Sequence, residues 1–212
     1  MAFTTAHSYQ MSLQNIVLGQ VQAAKIGDLQ SLKNHNARLI ALLQDDDPKQ
    51  HTHLSQEALT QACKAGHLQC VQFLIAYADI SYGQHVAVRC AIQSNHPDCL
   101  RLLMEHTQLP LPIYQFCLEE TAKHNQPQCL KILVDHFQDN ADYNTVLMTS
   151  AIREHHECVD ILYPIGDPKH ALMRIQTYHD EEMGSYLAAK LQQERLNVAV
   201  GEAASLKIYK KM

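Results

Sequence analysis

The sequence predicts an all-α solenoid, in which antiparallel helix pairs of about thirty residues stack in one row and are joined by short loops. Three observations carry that expectation. Cys70, Cys99, Cys129 and Cys158 follow one another at intervals of 29, 30 and 29 residues. A small residue (Ala62, Ala91, Thr121, Ser150) stands eight places before each cysteine, and a leucine (Leu74, Leu103, Leu133, Leu162) four places after it. Between them lies a turn position held by Gly66, Asn95, Asn125 and Glu154. A fixed period of this kind marks one supersecondary unit copied along the chain, and neither disulfide pairing nor a catalytic cluster produces it.

The units divide one repeat domain spanning 1–212. The first, about 12–44, carries AAKIGDLQSL (23–32) with Gly27 at its turn. The segment QDDDPKQHTH (44–53) then reads as an acidic, proline-containing solvated loop, an insertion that could also serve recognition. In the second unit (54–83), Leu59, Ala62 and Cys63 share one helical face, and after Gly66 a second face gathers Leu68, Val71, Leu74 and Ile75. Units three and four (84–113 and 114–142) place Asn95 and Asn125 at the turn, since Gly and Asn best tolerate the left-handed conformation that ends a helix. Pro97 and Pro127 follow two residues later, where the second helix begins and no amide donor is missed. The fifth unit (143–167) has Glu154 at this place, the least favourable of the five. A degenerate terminal unit at 168–195 rests on the amphipathic run IQTYHDEEMGSYLAAKL (175–191). The tail, 196–212, ends basic and reads equally as a cap, a partner-binding motif or a secretion address.

The residues Ala62-Cys63, Gly66-His67, Cys70-Val71 and Leu74-Ile75 resemble the ankyrin repeat in order and spacing. Ala91, Asn95-His96, Cys99-Leu100 and Leu103-Met104 repeat the pattern, and the resemblance extends over roughly residues 12–190. It implies an ankyrin-like solenoid of five or six helix pairs, capped at both ends. Two features depart from that family: no unit opens its first helix with Thr-Pro-Leu-His, and the period of 29–30 falls short of the usual ~33. The missing residues lie between units, so the projecting hairpins should be trimmed to short loops. Helix–turn–helix solenoids of other families share much of this pattern.

Composition narrows the function. An apolar fraction of 46% supports a folded core, and no apolar run approaches the ~20 residues that span a bilayer. A net charge of −5 gives no general attraction for nucleic acid or anionic membrane. Seven cysteines, an odd number, point to reduced thiols in the cytoplasm. The four periodic cysteines read as compact core residues, and no neighbouring residue lowers a thiol pKa in a predictable way. Fourteen histidines invite a zinc site, yet no Cys-x-x-Cys occurs. His51-Thr-His53 and His155-His156-Glu157-Cys158 lack a second ligand pair. No phosphate loop or nucleophile elbow is present. Neither a cofactor nor a catalytic residue is expected.

The ankyrin resemblance implies binding of another protein, without catalysis, by a monomer whose concave face is lined by first-helix positions. In this chain those are Gln61 and Lys64, Arg89 and Gln93, Glu120 and Lys123, and Thr149 and Arg153. Their chemistry changes from unit to unit while the core positions repeat. The competing class is an enzyme or enzyme-associated factor working through a surface cleft or the termini (1–15 and 192–212). Gln- and His-rich ankyrin-like chains of this size also resemble those that intracellular bacteria deliver into a host cytosol.

Overall fold

Five turns between paired helices are closed by the same backbone device. The computed structural model describes residues 2–43, 48–136, 139–177 and 181–209, with side chains at 9–43, 52–136, 139–175 and 181–198. Among them every element is an α-helix: α1 (Ala2–Ile26), α2 (Leu29–Leu43), α3 (Pro48–Ala65), α4 (Leu68–Leu74), α5 (Tyr82–Gln93), α6 (Pro97–His106), α7 (Leu111–Lys123), α8 (Pro127–Asp135), α9 (Tyr143–Ile152), α10 (His156–Leu162), α11 (Pro168–Thr177) and α12 (Glu181–Tyr209). Gly27, Gly66, Asn95, Asn125 and Glu154 all take positive φ, between 51° and 78°. The amide of the following residue then reaches back five positions in each case. Asp28 donates to the carbonyl of Ala23, His67 to Ala62, His96 to Ala91, Gln126 to Thr121 and His155 to Ser150, at 2.8–3.0 Å. This is the Schellman closure of a helix end. The periodic small residue therefore supplies the accepting carbonyl.

The odd-numbered helices pack in one row, α1 on α3, then α5, α7, α9 and α11, and the even-numbered helices α2 to α10 form a second row behind them. Contacts along the first row, whose helices are longer, are more extensive than along the second. One continuous core runs from Ala23 to Leu187 and contains all four periodic cysteines and their partner leucines. Each of those leucines is fully buried, worth about 1.5–3 kcal/mol apiece in area removed from water.

The ends depart from the repeat. α1 runs 25 residues, and the N-terminal pair keeps a small separate core of Ile16, Leu39 and Leu43. Nearby, the buried Gln20 Nε2 donates to Asn36 Oδ1 at 2.9 Å and Ser55 Oγ at 3.5 Å. The segment expected as a loop is helical from Pro48 onward, because proline opens α3; residues 44–47 lie outside the described residues. At the other end α12 is fastened to α10 at Asp160, which accepts from Tyr186 Oη and pairs with Lys190. The ammonium of Lys190 also stands over the rings of Tyr163 and Tyr186, 5.1 and 5.3 Å from their centroids. The connections between units are short: 107–110 joins α6 to α7, and 163–167 joins α10 to α11.

Candidate interaction surface

First helices expose one face because the opposite face carries the small residues of the core. Counted back from the periodic cysteine, the ninth position holds Gln61, Cys90, Glu120 and Thr149, all half-buried. The sixth holds Lys64, Gln93, Lys123 and Ile152, all exposed. Arg89 and Arg153 sit one place outside these two rows. Arg89 is half-buried within α5, and Arg153 is exposed at the C-terminal cap of α9.

Much of this surface is already engaged internally. Gln61 Nε2 donates to Glu57 Oε1 at 2.8 Å, and Thr149 Oγ1 donates to the carbonyl of Thr145 at 2.8 Å, so Thr149 turns toward its own helix. Glu120, with a side chain only 18% exposed, lies 3.4 Å from Lys123 Nζ and 3.6 Å from His124 Nε2. Lys123 is half exposed, so this pair contributes little stability. Arg89 behaves differently. Its guanidinium lies over the ring of Phe116 on α7, 5.1 Å from the centroid, and its enclosed Nε has no hydrogen-bond partner among the described residues. Phe116, 37% exposed, was not among the sequence-derived residues. An aromatic at a solvent-facing position, thirteen before Cys129 where Glu57 stands in its own unit, is the signal that could have found it.

The thiols are held in their neutral form. Burial pushes Cys99, Cys129 and Cys158 up to about 11 and Cys117 up to about 12. Cys63 is raised further by burial, with Cys99 and Cys90 adding to it. Cys90, the one half-exposed thiol of the seven, is raised by burial, against the opposing pull of Lys64 and Arg89. None of these thiols is activated for nucleophilic attack. No three His, Cys, Asp or Glu side chains converge as metal ligands among the described residues. Two clefts open on other surfaces. One, about 330 Å³, lies between α6, α8 and α10 and is lined by Arg101, Lys131 and Ile161. The other, about 500 Å³, lies beside Tyr163 and Lys190.

Residues 22–111 match the family model described as ankyrin repeats (3 copies). A crystal structure of the human ASB11 ankyrin repeat domain superimposes with a TM-score of 0.50 at 22% identity, covering 70% of this chain and 70% of that one. No curated protein matches the chain.

Proposed function

We propose that this chain, which carries ankyrin repeats at 22–111 and has the all-α ankyrin solenoid fold, binds a partner protein across its first helices and catalyses nothing itself. Ankyrin repeats are generally protein-interaction modules, and a rigid stack gives such a module a wide surface without an ordering cost on binding. The observation that carries the reading is the contrast between rows. Core positions repeat as Cys, Leu and small residues, whereas the exposed sixth position changes through Lys64, Gln93, Lys123 and Ile152. The more extensive contacts along the first-helix row support reading that side as the concave one. A main core closed within one chain supports a monomer, and the net charge of −5 supports a protein rather than a nucleic-acid partner. The site of action is the cytoplasm; delivery into a host cytosol rests on the Gln- and His-rich composition alone.

The test pairs Arg89→Glu with Lys123→Glu, two charges on the first helices α5 and α7. Affinity capture with the wild-type chain identifies partners, and titration measures each one. The reading expects the pair change to weaken binding at least tenfold while helix content and melting temperature stay nearly constant, since wrong-sign charge at a contact costs several kcal/mol. The control, Arg101→Glu, alters an exposed residue of α6 on the other row. Loss of binding in the control, with none in the pair change, would move recognition to the second helices.

A further inference from the structure

We propose that the patch formed by Lys64, Arg89 and Phe116 receives an acidic segment of the partner, with one carboxylate on Arg89, a second on Lys64 and an apolar side chain against Phe116. The proposal rests on the first-helix reading above and adds to it the chemistry of what binds. Arg89 is a half-buried cation, and no carboxylate among the described residues pairs with it. A guanidinium is the side chain best suited to grip a carboxylate through two parallel N–H donors, and stacking on an aromatic fixes its plane in advance.

The carboxylates that could have neutralised Arg89 are committed elsewhere. Glu57 accepts from Gln61, Glu119 accepts from Gln115 Nε2 at 2.8 Å, and Glu120 is paired with Lys123 and His124. Lys64, one unit earlier on α3, is exposed and forms no ion pair among the described residues. Lys64, Arg89 and Glu57 all act on the Cys90 thiol, so the two cations share this part of the surface with one carboxylate, which accepts from Gln61. Phe116, under the Arg89 guanidinium, adds exposed apolar area. The sequence of chemistry across α3, α5 and α7 is therefore cation, cation, aromatic. Neighbouring helices lie about 8–10 Å apart, and an extended chain advances about 3.3 Å per residue. An occupant crossing the helices then presents two acidic residues about three positions apart and an apolar residue about one or two positions beyond, because the Arg89 guanidinium lies 5.1 Å from the Phe116 centroid.

A random peptide library displayed on phage, selected against the full chain, tests the idea directly, and enriched peptides are titrated by fluorescence anisotropy. The expected result is enrichment of acidic peptides with that spacing. Their affinity should fall at least tenfold in Arg89→Gln, severalfold in Phe116→Ala, and less in Arg89→Lys than in Arg89→Gln. Melting temperatures of the three variants guard against misfolding, and Phe116→Ala carries the test if Arg89→Gln does not fold. Basic or uncharged peptides, acidic peptides indifferent to Arg89→Gln and Phe116→Ala, or no enrichment at all overturn the proposal. Uncharged peptides lost on Gln93→Ala or Lys123→Glu would overturn it while leaving the first-helix reading intact. Peptides affected only by Arg101→Glu would overturn both.

Discussion

The imidazole of His96 lies against Gly66 of the preceding unit, so closely that a Cβ on Gly66 would stand 2.5 Å from both Cε1 and Nδ1 of the ring. From that position His96 Nε2 hydrogen-bonds the carbonyl of Lys64 at 3.2 Å. His67 repeats the arrangement over Gly27, with its Nε2 3.1 Å from the carbonyl of Lys25, and His155 Nδ1 reaches the carbonyl of Ala122 at 2.7 Å. The last turn of a helix leaves its carbonyls without partners. Here the next unit supplies the donor, which couples each repeat to the one before it.

Gly66→Ala should therefore be costly for two separable reasons. A left-handed alanine at φ +75° costs about 1–2 kcal/mol, and the methyl also displaces the His96 ring. A double-mutant cycle with His96→Ala separates the two. The second loss should be smaller in that background, leaving only the backbone term. Chemical denaturation measures it, and full additivity of the two changes would show that ring and glycine do not interact.

The remaining turns differ in how well their residues suit the left-handed conformation. Asn95 and Asn125 tolerate it, whereas Glu154 at φ 58° does not. Glu154→Gly should raise stability by about 0.5–1 kcal/mol, and Asn95→Gly should be close to neutral. Asn95→Val should be clearly destabilising, because a β-branched side chain clashes there. Thermal melts of the three variants check the order Glu154→Gly, Asn95→Gly, Asn95→Val from most to least stable.

A second pairing separates the periodic cysteines into two kinds. Cys129 Sγ donates to Asn95 Oδ1 and Cys158 Sγ to Asn125 Oδ1, both at 3.7 Å, whereas Cys99 follows the glycine turn of Gly66. Serine in place of Cys99 buries a hydroxyl with no turn amide to bond, a loss of about 1–3 kcal/mol. Cys129→Ser and Cys158→Ser retain an acceptor and should lose about 1 kcal/mol less. All four should react slowly with a thiol reagent in the native state, and Cys90 should label first. Equal losses at Cys99 and Cys129 would remove the asparagine from the account.

What was legible in the sequence was local and periodic. Gly66, Asn95 and Cys99 fix turns and core register because each requirement is met within one unit, and even Glu154 could be placed by counting alone. The long α1 runs straight through Gly19 and has no proline to mark its opening, so its start at Ala2 could not be read. In the sequence Pro48 reads as part of a loop, although proline equally opens a helix. The stacking of Arg89 on Phe116 was beyond reach, since it depends on the rotation between adjacent units rather than on either helix. The same holds for Tyr114, whose hydroxyl donates to the carbonyl of Leu133 at 2.8 Å and lies 2.9 Å from Tyr143 Oη.

The left-handed run at the start of α5 was equally hidden, and it makes stability depend on pH. Gly83, Gln84 and His85 hold φ of 57°, 58° and 56° in succession. His85 is 5% exposed, and its Nδ1 has no hydrogen-bond partner among the described residues. Burial lowers its pKa below the ordinary value, and the carboxylate of Asp79 opposes that shift without cancelling it. The folded chain thus resists a proton that the unfolded chain accepts near pH 6.5, so this contribution to stability is intact above about 6.5 and falls as the solution is acidified. His85→Asn tolerates the same backbone and does not titrate. Between about pH 7.5 and 5.5 the wild-type melting temperature should drop further than that of the variant, with no pH-dependent gap between them at the upper end. Parallel pH profiles for the two proteins would show that His85 takes up its proton in the folded state as readily as in water.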